Sequence, residues 1–254
     1  MKKHGKSTFF LVIFMKTRYN LLWYNFMDKA GYIMLYTVVQ QANNLSFFGL
    51  LLVIISYVAL VLVMLPIHEF AHAFVATKLG DQTARWHGRL TVNPFAHLDK
   101  WGTVMLFLFG FGYAKPVTVN PRNFRNPSKG MALVALAGPL SNIIMAALAM
   151  VTYRVLTLFS LPSSVLAIAW IILINVFTMV NLNLAVFNLL PIPPLDGSRI
   201  FASVLPARWV NTMEYYSRYV TIALMALIAF GALNYPIGLL RNFLFRILCI
   251  IIGL

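Results

Sequence analysis

Length, composition and charge exclude a soluble globular protein, because 61% of the 254 residues are hydrophobic and only 10% are charged, against roughly 45–50% and 25% in ordinary soluble domains. The net charge of +14 would suggest nucleic acid in a soluble chain, but here most basic residues lie between hydrophobic runs, where they are typical of topology signals and lipid-headgroup contacts. The single cysteine, Cys249, excludes an internal disulfide and a cysteine-based metal site.

The first 45 residues form the least regular part of the sequence. A short apolar stretch, Phe9 to Met15, is interrupted by two basic residues, and no small-residue cleavage site follows it. Residues 19–45 mix aromatic and polar side chains, which favours an interfacial amphipathic segment over a membrane span. We therefore divide the chain into a basic and aromatic appendage over residues 1–45, a membrane-embedded core over 46–217, and C-terminal transmembrane or interfacial helices over 218–254.

Four uncharged runs each reach the roughly 20 residues that cross a bilayer core as a helix. They cover residues 46–67, 130–153, 155–195 and 219–240. After the first run, the stretches RLTVNP and KPVTVNP alternate in polarity around a short apolar patch, which favours strands or a re-entrant hairpin. The predicted fold is an all-α polytopic membrane protein, a bundle of about four to six transmembrane helices with a short re-entrant or β-hairpin loop after the first core helix.

The charges in the loops predict the orientation. Eight Lys and Arg lie from Lys78 to Lys129 and three lie within residues 191–218, whereas the turn over residues 154–163 has one. Basic residues accumulate on the cytoplasmic side, so the end of the first helix and the Pro-rich loop are predicted to share that side. The basic residues of 1–45 would then lie outside unless that segment re-enters the membrane, and the sequence leaves this conflict open.

The first run continues into HEFAH at residues 68–72. At about 100° per residue, His68 and His72 lie about 40° apart on one helix face, so both imidazoles can reach one metal ion. Glu69 lies beside them, where a general base would contact a metal-bound water. The motif alone also occurs by chance at polar helix ends, but here 22 uncharged residues precede it. Such groups cost several kcal/mol at bilayer depth unless they are paired or metal-bound, which favours a metal site.

A third metal ligand has to come from elsewhere, since catalytic zinc normally has three protein ligands. Among the six acidic residues, Asp196 stands out because it follows the prolines of PIPPLDG, where Gly197 permits a tight turn. Its alternative role is to cap a helix from residue 198, which does not exclude metal binding. His87 and His97 are weaker candidates, because loop histidines with basic and aromatic neighbours are more often solvated or interfacial.

Five segments in this order, HEFAH, RLTVNPFAHLD, GYAKPVTVNPRNF, AGPLSN and FNLLPIPPLDG, resemble the site-2 protease family of intramembrane zinc metalloproteases, in its short prokaryotic form without a PDZ or CBS domain. The resemblance implies one Zn²⁺ per chain with His68, His72 and Asp196 as ligands. It implies Glu69 as general base and acid, and hydrolysis of peptide bonds in or near transmembrane segments of membrane proteins.

The resemblance also implies a catalytic role for Asn142 of AGPLSN, whose amide would hold the substrate carbonyl or the oxyanion. The alternative for this residue is an interhelical hydrogen bond. The expected partners are transmembrane protein substrates and the lipid bilayer, and not nucleic acid. The expected location is the cell membrane, in a multi-pass topology with the active site toward the cytoplasm.

Two other functions stay open from the residues alone. A divalent-metal transporter could use the same His, Glu and Asp cluster, but it needs polar ligands on several spans, and here the outer halves of the runs are nearly featureless. The second function, a catalytically silent scaffold, is disfavoured because the catalytic positions are all filled.

In the last apolar stretch, Arg241 and Arg246 suggest a helix at the interface or snorkelling side chains.

Overall fold

The computed structural model describes residues 47–99, 115–158 and 165–254, and the regular elements in these ranges are helical. The predicted appendage over residues 1–45 and the centre of the predicted hairpin, residues 100–114, lie outside the described residues. In chain order the helices are α1 (Phe47–Lys78), α2 (Thr83–Trp86), α3 (Pro94–His97), a 3₁₀ turn (Pro121–Asn123), α4 (Pro127–Leu158), α5 (Val165–Asn188), α6 (Asp196–Ala202), α7 (Ala207–Ala229) and α8 (Asn234–Ile252).

Helix α4 is the centre of the described bundle. It packs against α1, α5 and α6, and α8 packs against both α5 and α4. Apolar side chains of three helices meet in one core cluster, which consists of Ala146, Met150, Met179, Leu182 and Phe245. This packing holds α1, α4 and α6 in the positions from which they form the site described below.

The predicted membrane runs correspond to the helices only in part. Among the described residues, α4 and α8 are long and apolar enough to cross a membrane. The expectation that residues 219–240 form one span is wrong, because α7 ends at Ala229 and α8 begins at Asn234. Gly231, with φ of 70°, lies in the turn between them, and an uncharged composition alone does not reveal such a turn.

The described flanks of the predicted hairpin contain no strand. Asn93 of RLTVNP caps α3, where its side chain accepts a hydrogen bond from the Phe95 N–H at 3.1 Å, and KPVTVNP has no regular secondary structure from Lys115 to Asn120. One backbone bond joins the two flanks, from the Lys115 N–H to the His97 carbonyl at 2.8 Å. Each NP dipeptide starts a short helical turn, because proline suits the first helical position. The alternation of polar and apolar residues therefore ends at each NP.

Polar side chains are also buried along α5 and α8. Asn175, Thr178 and Asn181 are buried on α5. On α8, Arg241 is only 2% exposed, and its Nε and Nη2 donate to Asn242 Oδ1 at 3.1 and 2.8 Å. The Arg241 side chain is therefore buried on the side of α8 that packs against other helices, and the position of α8 relative to the membrane stays a prediction.

Candidate metal centre

Helix α1 presents two imidazoles side by side near its end. His68 and His72 are 6% and 7% exposed, and their Nε2 atoms are 3.1 Å apart. The two rings meet edge to face, with centroids 4.7 Å apart. The spacing of four residues places the rings one above the other on the helix, so that their nitrogens converge on one point.

Helix α6 brings the carboxylate of Asp196 to the same point. Its Oδ2 lies 3.3 Å from Nε2 of His68 and 3.3 Å from Nε2 of His72. Helix α6 begins at Asp196, and the preceding Leu195 is its cap without a side-chain hydrogen bond. The alternative in which Asp196 caps this helix is therefore not observed.

Gly197 positions this carboxylate in a way that differs from the predicted tight turn. Its backbone does not have a positive φ, but an ideal Cβ would lie 2.3 Å from the carbonyl oxygens of both Leu189 and Leu190. Only a residue without a side chain lets α6 approach the end of α5 this closely. Glycine is required here for space and not for backbone conformation.

The donor set fits zinc. Bonds of about 2.0–2.1 Å in a tetrahedral site place neighbouring donor atoms about 3.3 Å apart, and the three separations here are 3.1, 3.3 and 3.3 Å. Nδ1 of His72 donates to the Val134 carbonyl at 2.7 Å, so Nε2 of the neutral ring carries a lone pair. That lone pair faces a carboxylate oxygen, an arrangement that a cation stabilises.

Helix α4 forms the wall beside the imidazoles. Val134, Gly138 and Asn142 are buried on one face of it, spaced by four residues as neighbours on a helix surface are. Asn142 is fully buried, and neither its Oδ1 nor its Nδ2 has a hydrogen-bond partner among the described residues. The interhelical hydrogen bond considered for Asn142 is therefore not observed in that part of the chain.

Glu69 is half-buried on α1 next to His68. It is not among the three residues whose donor atoms converge in the described structure. Glu69 therefore lies next to the converging donor atoms without being one of them, and this arrangement is compatible with a role in proton transfer.

Asp81 lies in a segment that looks like an ordinary loop in the sequence, yet it is fully buried. It does not belong to the group of possible metal ligands in the described structure. Its Oδ1 accepts bonds from the Thr83 N–H at 3.1 Å, the Thr83 hydroxyl at 2.5 Å and the Asn123 amide at 2.6 Å. Its Oδ2 accepts a bond from the Asn120 N–H at 2.8 Å. Burial raises the pKa of Asp81, but these hydrogen bonds outweigh burial and hold the pKa below its usual value.

The two loop histidines differ from each other. His87 is exposed, as expected, whereas His97 is fully buried, so the expectation of a solvated or interfacial His97 is wrong. His97 Nε2 donates to the Thr91 carbonyl at 2.8 Å, and the nearby Arg89 donates to the Ala96 carbonyl. These bonds close the loop on itself, and neither histidine belongs to the group around Asp196.

The sequence predicts His68, His72 and Asp196 as metal ligands, but it does not predict the face of α4 that lies against the imidazoles. Val134 and Gly138 carry no chemistry in their side chains, and Asp81 is separated by 39 residues from Asn120, which binds it. The one available signal was the spacing of four between Val134, Gly138 and Asn142, which places these residues on one face of a helix.

The chain matches the sequence profile of peptidase family M50 over residues 153–231. The matched region contains Asp196 and does not include the HEFAH segment. No solved structure matches the chain.

Individual relatives extend the similarity. YwhC of Bacillus subtilis is 42% identical over 149 residues, which are 57% of this chain and 67% of that protein. Rip2 of Mycobacterium tuberculosis is 30% identical over 177 residues, 68% of this chain and 66% of that protein. A protein of Methanocaldococcus jannaschii is 33% identical over 157 residues, 60% of this chain and 72% of that protein. The names of all three describe zinc metalloproteases.

Proposed function

The chain belongs to peptidase family M50 and is an intramembrane zinc metalloprotease, and we propose that His68, His72 and Asp196 bind its zinc ion. The observation that carries this proposal is the convergence of three donor atoms from α1 and α6 at separations of 3.1 to 3.3 Å. Three protein ligands leave a fourth position for water or substrate. When bound, zinc supplies a Lewis acid that acidifies water and polarises a carbonyl group.

Glu69 and Asn142 act on the substrate in this proposal. Glu69 takes the proton of the attacking water and returns a proton to the leaving amine, so its carboxylate serves first as base and then as acid. Asn142 holds the substrate carbonyl through its amide. Its burial without a partner in the described chain supports this role, since a buried amide otherwise finds a hydrogen bond.

The proposed substrates are transmembrane segments of membrane proteins. A helix in lipid keeps its peptide bonds in internal hydrogen bonds, so the substrate has to unwind and needs new partners for its freed backbone groups. The segment from Lys115 to Asn120 offers such partners. The backbone groups of Val117, Thr118 and Val119 make no hydrogen bond within the described residues, and exposed Thr118 lies between two half-buried valines, as in an extended strand.

This proposal for substrate binding is tested with Thr118→Pro, which removes one backbone donor from the exposed edge. Thr118→Val is the matched control, because it keeps the N–H and alters only the side chain. We expect cleavage of a model transmembrane substrate in detergent to fall in the proline variant alone, with zinc content unchanged in both. Equal cleavage by both variants would show that the substrate does not pair with this edge.

We place the protein in the cell membrane as a multi-pass protein with the metal centre toward the cytoplasm. The juxtaposition of the end of α1 with the Pro-rich loop before α6 and the basic residues of both segments support one common side. A tag near Asn126 or Ala207 should then be reachable only from the cytoplasm, and one near Ser160 only from outside. The division at residues 45 and 217 and the count of four to six spans remain predictions.

The activity is tested on purified protein by zinc analysis together with cleavage of a model transmembrane substrate in detergent. We expect about one zinc ion per chain and cleavage that a chelator abolishes and added zinc restores. His68→Ala is the control that should lose both. The transporter alternative is not favoured by the relatives, and it would instead require metal flux into vesicles with no proteolysis.

A further inference from the structure

Gly138 lies on α4 directly against the two imidazoles. An ideal Cβ at this position would be 2.4 Å from His72 Nε2, 2.5 Å from His72 Cε1 and 2.5 Å from His68 Cε1. These distances are shorter than any ordinary non-bonded contact, so a methyl group would displace one of its neighbours. All three atoms belong to the proposed zinc ligands, and one of them is a donor atom.

The same helix holds His72 from the other edge of its ring. The Val134 carbonyl, one turn before Gly138, accepts the hydrogen bond from His72 Nδ1 at 2.7 Å. Helix α4 therefore determines which ring nitrogen faces Asp196 through Val134, and it determines how far the ring can extend toward α4 through Gly138.

We infer that Gly138 is a positioning residue of the zinc site, an inference that rests on the proposed function of His68 and His72. Both rings are buried, and Asp196 lies 3.3 Å from each Nε2, so a ring that moves away from position 138 also moves relative to the carboxylate. A side chain at position 138 would shift the ligand atoms relative to Asp196 by much more than the roughly 0.2 Å that a zinc site tolerates. The missing side chain thus keeps the donor atoms at bonding distance.

The chain offers a matched control on the same helix. An ideal Cβ on Gly130 would lie 2.4 Å from Phe124 Cδ2, so Gly130→Ala crowds α4 as severely as Gly138→Ala but against an aromatic ring and not a proposed ligand. Gly238→Ala on α8 meets nothing within 4 Å and controls for the glycine-to-alanine change itself.

Zinc affinity, measured by competition with a chelator, and the visible spectrum of the Co²⁺-substituted protein test the inference. We expect Gly138→Ala to bind zinc about 10–100-fold more weakly and to alter the cobalt spectrum. Gly130→Ala and Gly238→Ala should keep the wild-type affinity and spectrum, even if Gly130→Ala unfolds at a lower temperature. Wild-type zinc affinity and spectrum in Gly138→Ala, or an equal loss in Gly130→Ala, would overturn the inference.

A second comparison does not need zinc and covers the case in which Gly138→Ala fails to fold. In a chain carrying His68→Ala and His72→Ala, both rings are gone and the methyl group has room. We expect Gly138→Ala to leave the Tm of that double variant unchanged or higher, because alanine is the better helix residue. A clear decrease in Tm when Gly138→Ala is added to that double variant would overturn the inference. Absence of zinc from the wild type would contradict the proposed function instead, and this Tm comparison would remain valid.

Discussion

Two carboxylates of the described chain, the buried Asp81 and the half-buried Asp196, have opposite surroundings. Asp81 accepts four hydrogen bonds from neutral donors of Thr83, Asn120 and Asn123. Asp196 instead faces two imidazole nitrogens, and at least the Nε2 of His72 carries a lone pair in the neutral ring. A carboxylate that accepts hydrogen bonds from protein donors on both oxygens stabilises the fold. A carboxylate whose neighbours also carry lone pairs is stabilised instead by a bound cation.

The Asp81 cluster links chain segments that flank the metal centre. It ties the end of α1, which carries the histidines, to the turn at Asn120 and Asn123 just before α4. Beside it, Phe124 packs with Ala76 of α1 and Val134 of α4. The cluster thus supports the relative position of the two helices that hold the imidazoles, without contacting the metal donors.

The largest expected effect comes from removing the carboxylate of the metal centre. We expect Asp196→Ala to reduce cleavage to background and to weaken zinc binding by more than the roughly 10–100-fold typical of residues that only orient a ligand. Zinc content of the purified variant measures this directly. Asp81→Ala is the control, since that carboxylate is not among the proposed metal ligands. Zinc loss from Asp81→Ala but not from Asp196→Ala would show that the roles of the two carboxylates are the opposite of those proposed.

A large but different effect is expected from Glu69→Gln. If Glu69 transfers protons, as proposed, and lies outside the converging donors, cleavage should fall by about 10²–10⁴-fold, while about one zinc ion per chain remains bound. Single-turnover cleavage and metal analysis of the same preparation separate the two quantities. Loss of zinc from this variant would make Glu69 a ligand and leave the site without a general base.

A moderate effect on stability is expected from Asp81→Asn. The amide nitrogen of asparagine would oppose the Asn120 N–H or the donors of Thr83 and Asn123, which should lower the free energy of unfolding by about 1–3 kcal/mol. Thermal unfolding in detergent measures this change, and zinc content should stay at the wild-type value. In zinc-free protein, Asp196→Asn should lower the Tm less, and the opposite order would contradict the distinction between the two carboxylates.

The smallest expected effect is the pH dependence of the same interaction. The pKa of Asp81 is lowered in the folded protein from a usual value of 3.8, so its contribution to stability is present above that value and is lost as pH falls through the lower, folded-state pKa. The difference in Tm between wild type and Asp81→Asn should be constant from pH 7 to about 5 and shrink in stronger acid. A difference that grew with acid would mean that Asp81 is protonated in the native state.

Much of the metal centre could be predicted because its histidines lie on one helix. The four-residue spacing of His68 and His72 dictates that their rings share a face, whatever surrounds them. Asp196 could be found by elimination, since only six acidic residues exist in the chain. The break at Gly231 and the burial of His97 and Arg241 could not be predicted, because composition does not tell which side of a helix or loop faces the protein.

Local patterns in the chain are thus sufficient for the membrane setting, for the helical class and for the candidate metal ligands, since each follows from neighbours a few positions apart. The wall of α4 and the Asp81 cluster depend on contacts between distant segments: His72 and Val134 are 62 positions apart, and Asp81 and Asn120 are 39 apart. Periodicity shows which face of a helix a residue occupies but not which other helix it meets. The space that Gly138 leaves for two imidazoles exists only once α1 and α4 have packed together.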